Sequence, residues 1–263
     1  MNRIDKAFLR LRALDKKAFI AFLTAGYPDL ATTKKLVLDL EARGVDMIEL
    51  GIPFSDPMAD GPVIQESSQA ALENHVSLID VIRLVKDLRR LTQIPLLFMS
   101  YYNPIYCMGQ QKFVEEAVGV GLDGVIIPDL PFEEGSMLNR CAGKAGLDSI
   151  LFVSPTTEPQ RLMSIAKAAR GFIYYVSVAG VTGSQVNVSG EMAGRVKELQ
   201  RLTKTPVCVG FGVSTPAQVA HIQSIADGVI VGSAIIKKIK EFQGSPCLVS
   251  KVGAYVTTLL NGK

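Results

Sequence analysis

The 263-residue sequence predicts a single closed (β/α)₈ barrel with one extra helix ahead of its first strand. Three observations carry that expectation. Eight short apolar runs, rich in Val, Ile, Leu or Phe, are each too short for an ordinary helix. Amphipathic stretches separate them. No Pro/Ser-rich linker or shift of composition divides positions 1–263, so one domain is expected.

The elements follow in order. Arg3–Leu14 reads as an opening amphipathic helix, placed to plug the lower end of the barrel. Ala18–Thr24 is the first strand, and Leu30–Ala42 the helix after it, capped by Asp29 and ended by Gly44. Asp46–Leu50 is the second strand. Helix Leu78–Leu91 leads to the third strand, Pro95–Met99, and helix Phe113–Val120 to the fourth, Gly124–Ile127. Asp148–Val153 is the fifth strand, followed by helix Gln160–Ala169 and the sixth strand, Phe172–Ser177. Helix Met192–Leu202 precedes the seventh strand, Pro206–Val209. Ser214-Thr215-Pro216 reads as a cap with a first-turn proline for helix Ala217–Ile225, and Gly228–Val231 is the eighth strand. Such alternation implies parallel strands with right-handed crossovers. Eight units favour closure over a doubly wound open sheet.

Composition narrows the function. Hydrophobic residues make up 48%, charged residues only 20%, and the net charge is +3. That is no footprint of a nucleic-acid or membrane binder, while a small anionic substrate is compatible. Cys107, Cys141, Cys208 and Cys247 form no C-x-x-C, and with only His75 and His221 beside them no metal site is expected. The opening MNRIDKAFLRLRALDKK lacks the apolar core of a signal peptide, and no apolar run reaches transmembrane length. A cytoplasmic chain with free thiols is predicted.

Barrel active sites form at the C-terminal strand ends. Alternation puts Met47 and Glu49 on one face of the second strand and Ile48 on the other. Glu49 is therefore a carboxylate near the barrel mouth, where burial raises its pKa and suits it to proton transfer near neutrality. Asp56 and Asp60 follow in a loop rich in Pro and Gly. Aspartate in such loops is also a common turn former, and the residues alone do not choose between the two. Glycine turns follow the last three strands: Gly180-Val-Thr-Gly183, Gly210-Phe-Gly212-Val-Ser214 and Gly232-Ser233-Ala234. Turns after the seventh and eighth strands of this fold commonly hold a phosphate. Glycine lets backbone amides approach it, and a helix starting near Ser233 aims its positive end at it. Gly210-Phe-Gly212 lacks the third glycine of a dinucleotide fingerprint, and neither Walker A nor G-x-S-x-G occurs.

From about Arg3 to about Ile239 the chain resembles the tryptophan synthase alpha chain family. The resemblance lies in Phe22–Pro28 (FLTAGYP), Glu49–Pro62 (ELGIPFSDPMADGP), Tyr101–Ile105 (YYNPI), Ile127–Pro131 (IPDLP), Gly180–Gly183 (GVTG), Gly210–Ser214 (GFGVS) and Gly232–Ile235 (GSAI). The Glu49–Pro62 block is specific to the family, whereas the glycine turns are shared by many phosphate-binding barrels. The resemblance implies a TIM barrel that cleaves indole-3-glycerol phosphate to indole and glyceraldehyde 3-phosphate by a retro-aldol step, a lyase reaction of tryptophan biosynthesis. It implies catalytic roles for Glu49, Asp60 and Tyr174. It matches Gly183, Phe211, Gly212, Gly232 and Ser233 to phosphate-binding positions, places Thr182 and Gly183 in a mobile loop, and lines an indole pocket with Phe22, Met99 and Ile126. Met99 stands where a branched aliphatic is common. No cofactor is implied in this chain. Pyridoxal phosphate is expected in a beta-chain partner, in a tetramer of two alpha and two beta chains.

Three other readings fit parts of the pattern: another phosphate-binding barrel such as an isomerase of the same pathway, a catalytically silent subunit that activates a beta chain, and a free-standing indole-releasing lyase. The Glu49/Asp60 pair speaks against the first two. The sequence does not separate the third from the main reading.

Overall fold

In the computed structural model, which describes residues 1–176, 190–210 and 212–261, eight parallel strands pair in sequence order and β8 returns to pair with β1, closing the sheet. The elements begin α1 (Arg3–Ala13), β1 (Ala18–Thr24), α2 (Leu30–Ala42), β2 (Met47–Gly51), α3 (Pro62–Glu73), α4 (Leu78–Leu88) and β3 (Leu96–Met99). They continue with α5 (Tyr102–Met108), α6 (Gln110–Gly119), β4 (Gly124–Ile126), α7 (Ser136–Ala145), β5 (Asp148–Val153), α8 (Pro159–Ala168) and β6 (Ile173–Val176). The last are α9 (Gly190–Leu202), β7 (Val207–Gly210), α10 (Pro216–Ile225), β8 (Gly228–Val231), α11 (Ser233–Glu241) and α12 (Leu248–Leu260).

All eight expected strands form, with ends shifted by at most a residue, and the open sheet is excluded by closure. Period-2 alternation then sorts the side chains. Ala18, Ile20, Met47, Leu97, Ile126, Ile150, Phe172, Cys208 and Ile230 fill the barrel interior. Phe19, Leu23, Ile48, Phe98, Val125, Val209 and Val229 face outward into the larger core under the helices. Ile4, Ala7, Phe8 and Leu11, one stripe of α1, join the interior cluster, so the opening helix plugs the base as expected. Its N-cap is Asn2, whose side chain accepts from Asp5 N–H in a reciprocal capping box.

The expected punctuation holds elsewhere. Asp29 caps α2 through Thr32 N–H, and beyond its end Gly44 adopts φ +99°. Thr215 caps α10, with Pro216 in the first turn and Gln218 closing the box. Helices α3, α5, α7 and α12 were not among the expected segments. The buried face of α3 consists of Ser67, Ser68 and Ala71, small residues that leave no hydrophobic period to read. No helix among the described residues is long and apolar enough to cross a membrane. The four cysteines are free.

Candidate active site

Glu49 sits at the middle of β2, in register with Phe22 on β1 and Leu97 on β3. It is 1% exposed, and its Oε2 has no hydrogen-bond partner among the described residues. Burial removes the water that would solvate its charge, and the carboxylate of Asp60 adds repulsion. Together they push its pKa up to about 8. Near neutrality Glu49 therefore carries its proton.

The loop after β2 delivers Asp60. Ser68 on α3 ties the loop down, accepting from Phe54 N–H at 2.9 Å and donating to the Phe54 carbonyl at 3.1 Å. Asp60 accepts a 2.9 Å bond from the Tyr101 hydroxyl, which in turn accepts from Ala59 N–H at 2.9 Å. Tyr101 is itself buried and stacks on Phe54, with ring centroids 5.2 Å apart. Burial raises the Asp60 pKa to about 6, against the lowering effect of the Tyr101 bond. Asp56, the other candidate, is exposed and is occupied with the neighbouring Ser55 hydroxyl at 2.5 Å. The geometry thus separates two aspartates that the residues alone left equivalent.

Tyr174 projects from β6 into the same space. Burial first, then the charges of Glu49 and Asp60, hold its hydroxyl well above the ordinary phenol range, so it remains a neutral donor. It packs in the barrel between Phe152 and Phe172, at centroid distances of 5.0 and 6.5 Å. Gly210 at the end of β7 is what makes room for it. A Cβ there would lie 2.6 Å from the Tyr174 hydroxyl oxygen. Sequence reasoning gave Gly210 a part in a phosphate turn and missed this steric one.

Three residues expected to form an apolar wall lie on β1, β3 and β4. Phe22 is 6% exposed and continues the inward face of Ala18 and Ile20, while Met99 and Ile126 are register partners on β3 and β4. Two glycines border the Phe22 ring: a Cβ on Gly51 would fall 2.5 Å from it, and one on Gly232 would lie 3.3 Å from the Phe22 Cβ. Gly232 is also the N-cap residue of α11 and supplies no side-chain cap, so the first turn from Ser233 keeps its amides and positive dipole end available to an anion. Gly212, at φ +67°, belongs to the turn after β7. Thr182, Gly183 and Phe211 lie outside the described residues. Tyr101, the direct partner of Asp60, was not singled out from the sequence. Its signal is the polar tip on an otherwise apolar strand end. Among the described residues no group of three His, Cys, Asp or Glu is placed to hold a metal ion.

A closed eight-stranded parallel barrel with a protonated carboxylate, a second ionisable carboxylate and glycine turns at one mouth defines an acid/base enzyme of the barrel class. Comparison with known proteins makes this specific. The family model described as tryptophan synthase alpha chain matches residues 8–260. The tryptophan synthase alpha chain of Geotalea daltonii is 47% identical, covering 100% of this chain and 99% of that relative, and that of Chloroflexus aurantiacus is 44% identical over 99% and 98%. The crystal structure of tryptophan synthase subunit alpha from Legionella pneumophila superposes with a TM-score of 0.92 at 39% identity, covering 100% of this chain and 98% of that one. A structure of the a2b2 tryptophan synthase complex from the hyperthermophile Pyrococcus furiosus gives 0.86 at 37% identity, covering 92% and 97%. The chain belongs to the tryptophan synthase alpha chain family, and it is a carbon–carbon lyase.

Proposed function

We propose that Glu49, Asp60 and Tyr174 carry the retro-aldol cleavage of indole-3-glycerol phosphate to indole and glyceraldehyde 3-phosphate, with residues 1–263 working as one domain. The observation that carries the assignment is the buried Glu49, pKa about 8, beside Asp60 at about 6. The protonated Glu49 gives its proton to the indole ring carbon that bears the glycerol chain. The ring nitrogen becomes a cationic N–H, which ionised Asp60 stabilises. Glu49, now a carboxylate, takes the proton of the adjacent glycerol hydroxyl as the carbon–carbon bond breaks. The bonding pair returns to the ring, the hydroxyl carbon leaves as an aldehyde, and Glu49 ends protonated as it began. Tyr174 donates from the opposite wall. Phe22, Met99 and Ile126 line the indole pocket. Gly212, Gly232 and Ser233, with Gly183 and Phe211, hold the phosphate, and Thr182 belongs to the same substrate site.

The same reading gives the chain a partner, a beta chain that carries pyridoxal phosphate, in a tetramer of two alpha and two beta chains. The P. furiosus structure described as an a2b2 complex supports it. So does the loop that carries Asp60, on which Met58 is 82% exposed. A partner packed there acts on Asp60 by favouring its productive position. The test is indole release from indole-3-glycerol phosphate, with and without a titrated beta chain. Release that rises on addition is expected. No release in either case overturns the reaction, and release indifferent to the beta chain revives the free-standing lyase.

A further inference from the structure

The turn after β7 is held at its outer end, Ser214, by two side chains. Ser214 N–H donates to Gln218 Oε1 at 2.9 Å, and the same oxygen accepts from Thr215 N–H at 3.1 Å. The Ser214 carbonyl accepts a 2.9 Å bond from the hydroxyl of Tyr255 on α12. Gln218 belongs to α10, which grows directly out of the turn, so it braces the turn only against its own helix. Tyr255 ties it to a different part of the molecule. That tie matters because Gly212, at φ +67° without a side chain, gives the turn freedom that its own backbone does not remove.

Tyr255 touches a second element as well. Lys238 Nζ lies over its ring, 5.4 Å from the centroid, and Lys238 belongs to α11, the helix that begins at Ser233. One half-buried tyrosine therefore touches the turn through its hydroxyl and, through its ring, a lysine in the last turn of the helix whose N-terminus is read above as phosphate-binding.

We propose that Tyr255 is a positioning residue for the phosphate subsite. It holds the β7 turn in register with the N-terminus of α11 so that their amides converge on one anion. It touches no substrate atom. The inference rests on the reading of these turns as the phosphate site.

Tyr255→Phe tests it, because the ring stays over Lys238 and only the hydroxyl is lost. Binding of glycerol 3-phosphate should weaken about two- to tenfold, the range for one hydrogen bond, and KM for indole-3-glycerol phosphate should rise by the same factor. Affinity for indole and kcat should not change. Melting temperature, measured alongside, reports any general loosening. Unchanged glycerol 3-phosphate binding overturns the proposal, and so does equal weakening of indole and glycerol 3-phosphate. Failure of the wild-type protein to bind glycerol 3-phosphate sinks the phosphate assignment itself, and this proposal with it.

Discussion

Asp123 at the base of the barrel and Glu49 near its mouth are hidden alike, 2% and 1% exposed, yet among the described residues Asp123 is bonded through both oxygens while Glu49 Oε2 has no partner. Its Oδ1 accepts from Arg3 at 3.0 Å, and its Oδ2 from Arg89 at 2.6 Å and Leu96 N–H at 2.9 Å. The pattern repeats around the base. Asp46 accepts from Phe19 N–H and Arg10, and Asp227 from Val207 N–H with Lys17 at 3.8 Å. Each of these three carboxylates pins an amide at or next to the start of a neighbouring strand. At the mouth, among the described residues, Glu49 Oε2 has no partner and the Asp60 carboxylate accepts from one tyrosine. A buried carboxylate supplied with donors is held as a strut, whereas one denied them is left poised to exchange a proton, the role proposed above for Glu49.

The largest effect expected from breaking this division is at Glu49. Glu49→Gln should lower turnover by about 10² to 10⁴, the span for losing a proton-transfer group. The same change should stabilise the protein in alkali. The folded pKa of Glu49, about 8, lies above its ordinary value of 4.5, so its favourable contribution is full below 4.5 and is lost as pH rises through 8. Gln does not ionise, so at pH above 8 the variant should melt higher than wild type. Wild-type kcat/KM should be bell-shaped, rising with Asp60 near pH 6 and falling with Glu49 near pH 8, as apparent values of the coupled pair. Turnover within a few-fold of wild type in Glu49→Gln would remove Glu49 from the mechanism.

At the base the expected loss is of stability alone. Asp123→Ala strands the guanidinium of Arg89, whose side chain is 9% exposed and whose pKa burial already draws down to about 10. Removing one partner of such a pair costs about 3–5 kcal/mol. Denaturant unfolding should show that loss, while kcat of the folded protein at permissive temperature stays near wild type. A fall in kcat with stability intact would mean that the base is not merely structural.

A smaller effect is expected where the mouth borrows the logic of the base. Tyr101→Phe removes the one donor that lowers the Asp60 pKa. The acid limb of kcat/KM should move up by about one unit, the scale of a hydrogen bond to a charged group. An unmoved acid limb would show that Asp60 is not the group titrating there.

The sequence disclosed the strands and the opening helix more completely than the side-chain settings at either end, for a physical reason. Strands and the plugging stripe of α1 are written in local periods of two and 3.6, and they were read nearly to the residue. Glu49 was legible because strand alternation fixes which way it points. Its lack of a donor was not, because absence of a partner is a property of everything around it. Asp56 and Asp60 share a local sequence setting and differ through burial and through Tyr101, both set by parts of the chain distant from the loop. Gly210 and Tyr255 act through partners on β6 and in the β7 turn, again beyond any local pattern. The helix α3 escaped because it packs through Ser67, Ser68 and Ala71, a face chosen for closeness and for the Thr24–Ser67 hydroxyl pair at 2.7 Å.

The smallest effect sharpens the comparison most, because it concerns a base carboxylate that is only partly satisfied. Asp148, 7% exposed, accepts a 2.5 Å bond from Asn2 Nδ2, and burial still lifts its pKa to about 6. Asn2 has a second duty, since its Oδ1 accepts from Asp5 N–H and caps α1. Asn2→Ala removes both of these bonds and a third, from Nδ2 to the Asp123 carbonyl at 3.3 Å, which is indifferent to pH in this range. Loss of the cap costs about 1 kcal/mol at any pH. Loss of the donor matters only while Asp148 is ionised. The raised pKa means that Asp148 costs stability as pH rises through about 6, and the Asn2 bond offsets part of that cost. Urea unfolding should therefore show a larger penalty for Asn2→Ala at pH 7.5 than at pH 4.5, by roughly a further 1 kcal/mol. Equal penalties at both pH values would leave Asn2 as a helix cap only. Asp148 would then stand at the base as a carboxylate no better supplied than Glu49, and lack of donors alone would no longer distinguish the two ends.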